Sequence, residues 1–153
     1  MRTFISNSET DTMKFARLLA SKLKTGDTIV LSGDLGSGKT KFTEGFLSYF
    51  GLSDEISSPT FTIVNEYCKD NINIYHFDVY RLSSSDEFYA IGGEQYFENG
   101  ICIIEWGEII NDALPSDYLH IKFERDLENE NKRILQVNAV GNKYLELIKT
   151  LSI

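Results

Sequence analysis

With 153 residues, 42% hydrophobic and 25% charged, the chain is read as one soluble globular domain over residues 1–153, long enough to bury a core. A net charge of −8 and a pI near 4.7 argue against a broad phosphate-backbone surface, so no direct tight nucleic-acid binding is expected. No window approaches about 18 apolar residues and Met1-Arg2-Thr3-Phe4 does not begin a signal peptide, which predicts no membrane association and a cytoplasmic location.

Arg2–Ser6 reads as a short strand. Ser6-Asn7-Ser8-Glu9 fits an S-x-x-E capping box, and the helix predicted over about 9–24 buries Met13, Ala16, Leu19, Ala20 and Leu23 before Gly26 ends it. Thr28-Ile29-Val30-Leu31-Ser32 is a buried strand by its continuous apolar character. Directly after it, Gly33-Asp34-Leu35-Gly36-Ser37-Gly38-Lys39-Thr40 fits G-x-x-x-x-G-K-[ST], the phosphate-binding P-loop. The following helix carries Phe42, Phe46 and Phe50 four apart on one face, with Gly51 as its C-terminal cap.

A glycine-rich turn before an ordinary helix is the bland account of that stretch, but the strand–loop–helix context is the one the motif requires. Three glycines let successive N–H groups point into one concavity without a Cβ in the way. The helix beginning near Lys39 adds unpaired N–H groups and its positive dipole end. Lys39 can then reach the β- and γ-phosphates, and the Thr40 hydroxyl is placed to ligate Mg²⁺.

A polar connection over 53–58 leads to Pro59-Thr60 and a predicted strand over 61–67. Lys69-Asp70-Asn71 is a turn, and 72–77 a second strand, giving an antiparallel hairpin. Ser83-Ser84-Ser85-Asp86-Glu87 opens a short helix that Gly92-Gly93 breaks, with another helical turn over 94–99. Ile101-Cys102-Ile103-Ile104 is a strand covered on both faces. Alternating residues over 119–123 and 135–139, joined by a polar loop at 126–132, predict a second hairpin at a sheet edge, and a last helix spans about 142–151. The fold expected is α/β: a three-layer P-loop NTPase-like domain, with a mixed sheet of parallel core strands and antiparallel hairpins and helices on both faces. Cys68 and Cys102 form no C-x-x-C pair and are expected to be packed, reduced thiols.

Hydrolysis needs carboxylates beside a P-loop, to hold Mg²⁺ or its waters and to orient the attacking water. Asp78 and Glu105 follow predicted core strands, where ligands sit in open α/β sheets. The sequence does not divide the two tasks between them. Thr60 offers a switch-like hydroxyl or N–H to the γ-phosphate, or else a plain turn. His76 lies on the opposite face from Phe77, where a structural and a functional histidine fit equally well. Arg81 either stabilises phosphate charge or pairs with a surface acid, and Trp106 either stacks near the nucleotide or a partner or belongs to the core.

Taken in order, Gly33-Asp34-Leu35-Gly36-Ser37-Gly38-Lys39-Thr40, Ser58-Pro59-Thr60-Phe61-Thr62, His76-Phe77-Asp78-Val79-Tyr80-Arg81-Leu82 and Ile104-Glu105-Trp106 resemble the TsaE (formerly YjeE) family of bacterial P-loop ATPases. The resemblance runs from the first helix through Pro115. It implies ATP and ADP as ligands, Mg²⁺ as cofactor, and two partner proteins, TsaD and TsaB. Those partners attach threonylcarbamoyl to adenosine 37 of tRNAs reading codons that begin with A, so tRNA is met only through the complex. The resemblance also implies that Leu35 to Thr40 hold the phosphates, that Thr40 and Glu105 serve Mg²⁺, and that Asp78 is the Walker-B-like acid. Ser58-Pro59-Thr60 would be the switch, Trp106 would lie beside the site, and Glu9 and Arg133 would frame the adenine or ribose. Two departures are visible: Lys41 stands where the family commonly repeats threonine, a position whose N–H would still serve the α-phosphate, and Gly107 stands where it commonly has proline.

Two other functions fit a P-loop. A small-molecule kinase would need an acceptor pocket and an arginine-rich lid, and Arg2, Arg17, Arg81, Arg125 and Arg133 are scattered along the sequence. A nucleotide-dependent switch or binding module needs no catalytic acids, whereas Lys39, Thr40, Asp78 and Glu105 are all present.

Overall fold

The computed structural model describes residues 1–34, 36–52 and 63–151. Seven strands among these form one sheet: β1 (Arg2–Ser6), β2 (Thr28–Ser32), β3 (Val64–Lys69), β4 (Ile72–Asp78), β5 (Ile101–Glu105), β6 (Tyr118–Arg125) and β7 (Arg133–Val140). Their order across the sheet is β1-β7-β6-β2-β5-β4-β3. The continuous apolar runs of β2 and β5 are buried on both faces, and they pair in parallel at the centre. β6 and β4 extend this parallel core on either side. β3 with β4 and β6 with β7 are the two antiparallel hairpins. The second hairpin is not at an edge, as its alternation suggested. β1 returns from the start of the chain and pairs with β7, so the hairpin is enclosed.

Among the described residues the helices are α1 (Glu9–Ala20), α2 (Lys39–Tyr49), α3 (Ser85–Ala90) and α4 (Leu145–Thr150), with 3₁₀ helices at Gly93–Glu98 and Gly107–Ala113. One core lies between the sheet and α1, α2 and α4, where Phe15, Leu19, Phe42 and Phe46 pack on Ile29, Leu31, Ile103 and Ile121. The other lies on the opposite face, where Phe88 and Ile110 cover Val30, Phe77 and Ile104. The four-residue spacing in α2 does what it predicted: Phe42 and Phe46 are fully buried, with Phe42 also edge-on to Phe123 at 5.7 Å. Each such ring contributes on the order of 2–3 kcal/mol by leaving water.

Local details differ from the expectation. The cap of α1 is Ser8, whose Oγ accepts from the Asp11 N–H at 3.1 Å, while Asp11 accepts from the Asn7 N–H. Ser6 is buried and pairs with the Thr12 hydroxyl at 2.7 Å instead. The cap is therefore two residues further along, and Asp11 bonds the N–H of the residue before that cap. α1 stops at Ala20, where Lys22 and Leu23 bond back three residues and tighten the chain into turns. Met13 is half-buried, because its backbone rather than its side chain meets α2, and Phe15 enters the core instead. α4 is shorter than its pattern suggested, and the 3₁₀ helix at Gly107–Ala113 had no sequence signal.

The cysteines also divide. Cys102 is fully buried in β5, and burial pushes its thiol up to about 12. Cys68, expected to be packed, is exposed, because β3 is an edge strand. Native protein treated with a thiol reagent at pH 8 is expected to take up one equivalent at Cys68 and a second only on unfolding, measured by mass spectrometry. Among the described residues no helix is long and apolar enough to cross a membrane.

Candidate nucleotide-phosphate site

The site forms where β2, β4 and β5 end. β2 runs into Gly33, and α2 begins at Lys39 after Gly38, whose φ of 111° only glycine adopts readily. Gly33 is equally constrained, since at φ 141° a Cβ would lie 2.7 Å from the Phe123 carbonyl oxygen. The Phe42 N–H is the first in α2 to bond back into the helix, to Gly38 at 3.0 Å. The N–H groups ahead of it have no intrahelical acceptor and carry the positive end of the helix dipole. Ser37 Oγ is buried with no hydrogen-bond partner among the described residues. Together these features make an anion-binding concavity.

Lys39 turns back across this loop. Its Nζ donates to the Gly33 carbonyl at 2.7 Å, lies 3.8 Å from Glu105 Oε1, and sits 5.2 Å from the centre of the Trp106 ring. Trp106 holds a left-handed φ of 65° and packs against exposed Tyr80 at 5.1 Å. Asp78 and Glu105 are register partners at the ends of β4 and β5, so the two predicted acids share one sheet face, the face that carries α2. Asp78 Oδ1 also accepts from the Tyr80 N–H at 3.1 Å.

His76 is the residue whose place the sequence left open. It is buried, and its Nε2 lies 2.6 Å from Glu105 Oε2. A period-two signal was available: in β4, His76 and Asp78 point to the same side. His120 was passed over as well. It lies 2.8 Å from the Ser32 hydroxyl and fastens β6 to the end of β2, and burial holds its imidazole below the ordinary histidine range.

Glu9, Lys41 and Arg133 are far apart in sequence, yet the fold brings them to one small cavity of about 70 Å³, with Ser8, Thr12, Glu130 and Asn131. Glu44 at 3.2 Å, and then Glu9 at 3.7 Å, hold the Lys41 ammonium above the usual lysine range. Arg133 reaches the Gly36 carbonyl at 3.4 Å. Arg125 is its register partner across the hairpin, and its guanidinium lies over Gly36. The arginines are thus not all scattered: antiparallel pairing sets two of them beside Gly36. An open cleft of about 990 Å³ adjoins them, lined by the turn of the β6–β7 hairpin. Arg81 is exposed. Leu35 and the predicted switch, Ser58-Pro59-Thr60, lie outside the described residues.

A family model described as Threonylcarbamoyl adenosine biosynthesis protein TsaE matches residues 6–134. The chain belongs to the TsaE family. It is 41% identical to the tRNA threonylcarbamoyladenosine biosynthesis protein TsaE of Bacillus subtilis, over 93% of this chain and 88% of that protein. It is 45% identical to the Haemophilus influenzae protein of the same name, over 86% of this chain and 85% of that protein. Among solved structures, the crystal structure of Bacillus subtilis YdiB superposes with a TM-score of 0.78 at 35% identity, covering 99% of this chain and 93% of that one. This agrees with the P-loop NTPase-like α/β fold expected from the sequence. One departure from the TsaE pattern has a local reason. Gly107 is buried, and a Cβ there would lie 2.7 Å from Val30 Cγ1, so a packed glycine closes the turn after Trp106.

Proposed function

We propose that this chain is a Mg-dependent P-loop ATPase that acts with TsaD and TsaB in forming N6-threonylcarbamoyladenosine at adenosine 37 of tRNAs reading codons that begin with A. The observation that carries the reading is the convergence of Lys39 and Glu105, 3.8 Å apart, on the mouth of a glycine loop that opens a helix. The loop's N–H groups and Lys39 bind and orient the phosphates of ATP. Thr40 and Glu105 hold Mg²⁺, with Asp78 beside them as the Walker-B-like acid. Mg²⁺, when bound, neutralises charge on the phosphate oxygens.

The residues suit that ion. Hydroxyl and carboxylate oxygens are the donors it prefers. A magnesium site completed by substrate phosphates needs only one or two protein carboxylates, so the lack of a three-residue acidic or histidine cluster among the described residues does not count against it. Glu9, Lys41 and Arg133 line the place for the nucleoside. A kinase reading is less well supported, because Arg125 and Arg133 stand on paired strands and not on a lid.

Steady-state phosphate release from Mg·ATP, with and without TsaD, TsaB and tRNA, tests this reading. Hydrolysis is expected to rise with the partners and to fall at least about 100-fold in Glu105→Ala. ATP binding with hydrolysis that ignores the partners would remove the assigned role and favour a kinase or a switch.

A further inference from the structure

The ATPase reading uses Lys39 and Glu105 and leaves unexplained why they stand apart. Two opposite charges this close and this sheltered ordinarily close to about 2.8 Å. Here their side chains are only 8% and 12% exposed, yet Nζ and Oε1 remain 3.8 Å apart. Each is held by a third group. Lys39 donates to the Gly33 carbonyl at 2.7 Å, and Glu105 Oε2 is engaged by His76 Nε2 at 2.6 Å. An ionised carboxylate only accepts, so Nε2 carries a hydrogen, and the other ring nitrogen is Nδ1. That Nδ1 is buried and has no hydrogen-bond partner among the described residues. A purely packing role would be better filled by an apolar side chain, which leaves no orphaned polar atom.

We propose that His76 is a positioning residue: by donating Nε2–H to Glu105 Oε2 it holds the carboxylate open toward the phosphate loop and prevents it from closing on Lys39. The inference rests on the ATPase reading and deepens it, because it assigns the residue that sets how readily the site takes Mg²⁺. Without His76, Glu105 collapses onto Lys39. One ion pair then removes both the metal-binding oxygen and the phosphate-binding ammonium.

Two substitutions separate positioning from packing. A glutamine amide places its nitrogen near the imidazole Nε2 position, whereas an asparagine amide places it near Nδ1, out of reach of Glu105. ATP binding by full-length protein is measured by calorimetry over a series of Mg²⁺ concentrations and without Mg²⁺. His76→Asn is expected to raise the Mg²⁺ concentration for half-maximal effect by roughly 10-fold or more, the scale for losing a partner behind a metal ligand. Its metal-free ATP affinity should fall as well, because Glu105 then engages the Lys39 ammonium, and His76→Gln should restore both quantities to within about threefold of wild type. Equal Mg²⁺ requirements in the two variants, whether both normal or both impaired, would overturn the proposal. Should His76→Asn fail to fold, ¹⁵N shifts of the wild-type imidazole decide: a hydrogen on Nε2 supports it, and a bare Nε2 overturns it. Wild-type ATP binding indifferent to Mg²⁺ is a different failure, visible before any variant is made, and it removes the ATPase reading along with the inference.

Discussion

Replacing Lys39 with alanine is expected to lower kcat/KM for Mg·ATP hydrolysis by about 10²–10³-fold or more, the scale for losing one preorganised charge at a site of phosphoryl transfer. Lys39 is only 7% exposed, so water does little to screen it, and its Nζ is held over the start of the loop by the Gly33 carbonyl. The same change removes one of the two side chains, Lys39 and His76, that meet the Glu105 carboxylate among the described residues. The fold should tolerate it, because the Lys39 side chain spans the mouth of the loop and makes its bonds to Gly33 and Glu105, outside the packed rings of Phe42 and Phe46. Phosphate release measures the loss. Trp106, the one tryptophan of the chain and 5.2 Å from the ammonium, gives an intrinsic fluorescence signal for nucleotide binding in both proteins. Undiminished Mg-dependent hydrolysis in Lys39→Ala would refute this loop as the site.

The second large effect is on stability. Gly45→Ala is expected to destabilise the fold by about 2 kcal/mol, although glycine to alanine inside a helix ordinarily gains about 1 kcal/mol. Gly45 lies on the face of α2 that meets α1, and a Cβ there would stand 2.6 Å from both Cα and O of Met13. Backbone cannot swing aside as a flexible side chain can, so α1 and α2 must separate. Their shared core of Phe15, Leu19, Phe42 and Phe46 then loosens. Because α2 carries Lys39 at its first turn, nucleotide affinity should weaken along with the midpoint in urea. An unchanged or raised urea midpoint would show that the helices have room to spare at this crossing.

Much of the fold was legible because its signals are local. β2 and β5 declared themselves by unbroken apolar runs, α2 by phenylalanines four apart, and the P-loop by glycines whose spacing has a steric reason. Boundaries were less legible. The S-x-x-E pattern at Ser6 competed with a serine–aspartate cap two residues on, and hydrogen bonds that no pattern encodes chose the second. The edge assignment of the β6–β7 hairpin failed for a related reason. Alternation reports one buried face, but not which strand lies alongside, and β1 comes from more than a hundred residues away in sequence.

Sequence alone carries the candidate chemistry: a G-x-x-x-x-G-K-[ST] loop with a lysine and a threonine at its end, and two acids after apolar strands. Spacing along the chain dictates those, since each depends on residues within a few positions of one another. Which of these groups meet depends on how the strands pair. Parallel pairing put Asp78 level with Glu105, and the alternation of β4 turned His76 to the same side, where it holds one oxygen of Glu105 while Lys39 faces the other. Antiparallel register set Arg125 opposite Arg133 beside Gly36, and α1 brought Glu9 to Lys41. Such meetings are fixed by sheet order and register, which the burial of both faces selects for the chain as a whole.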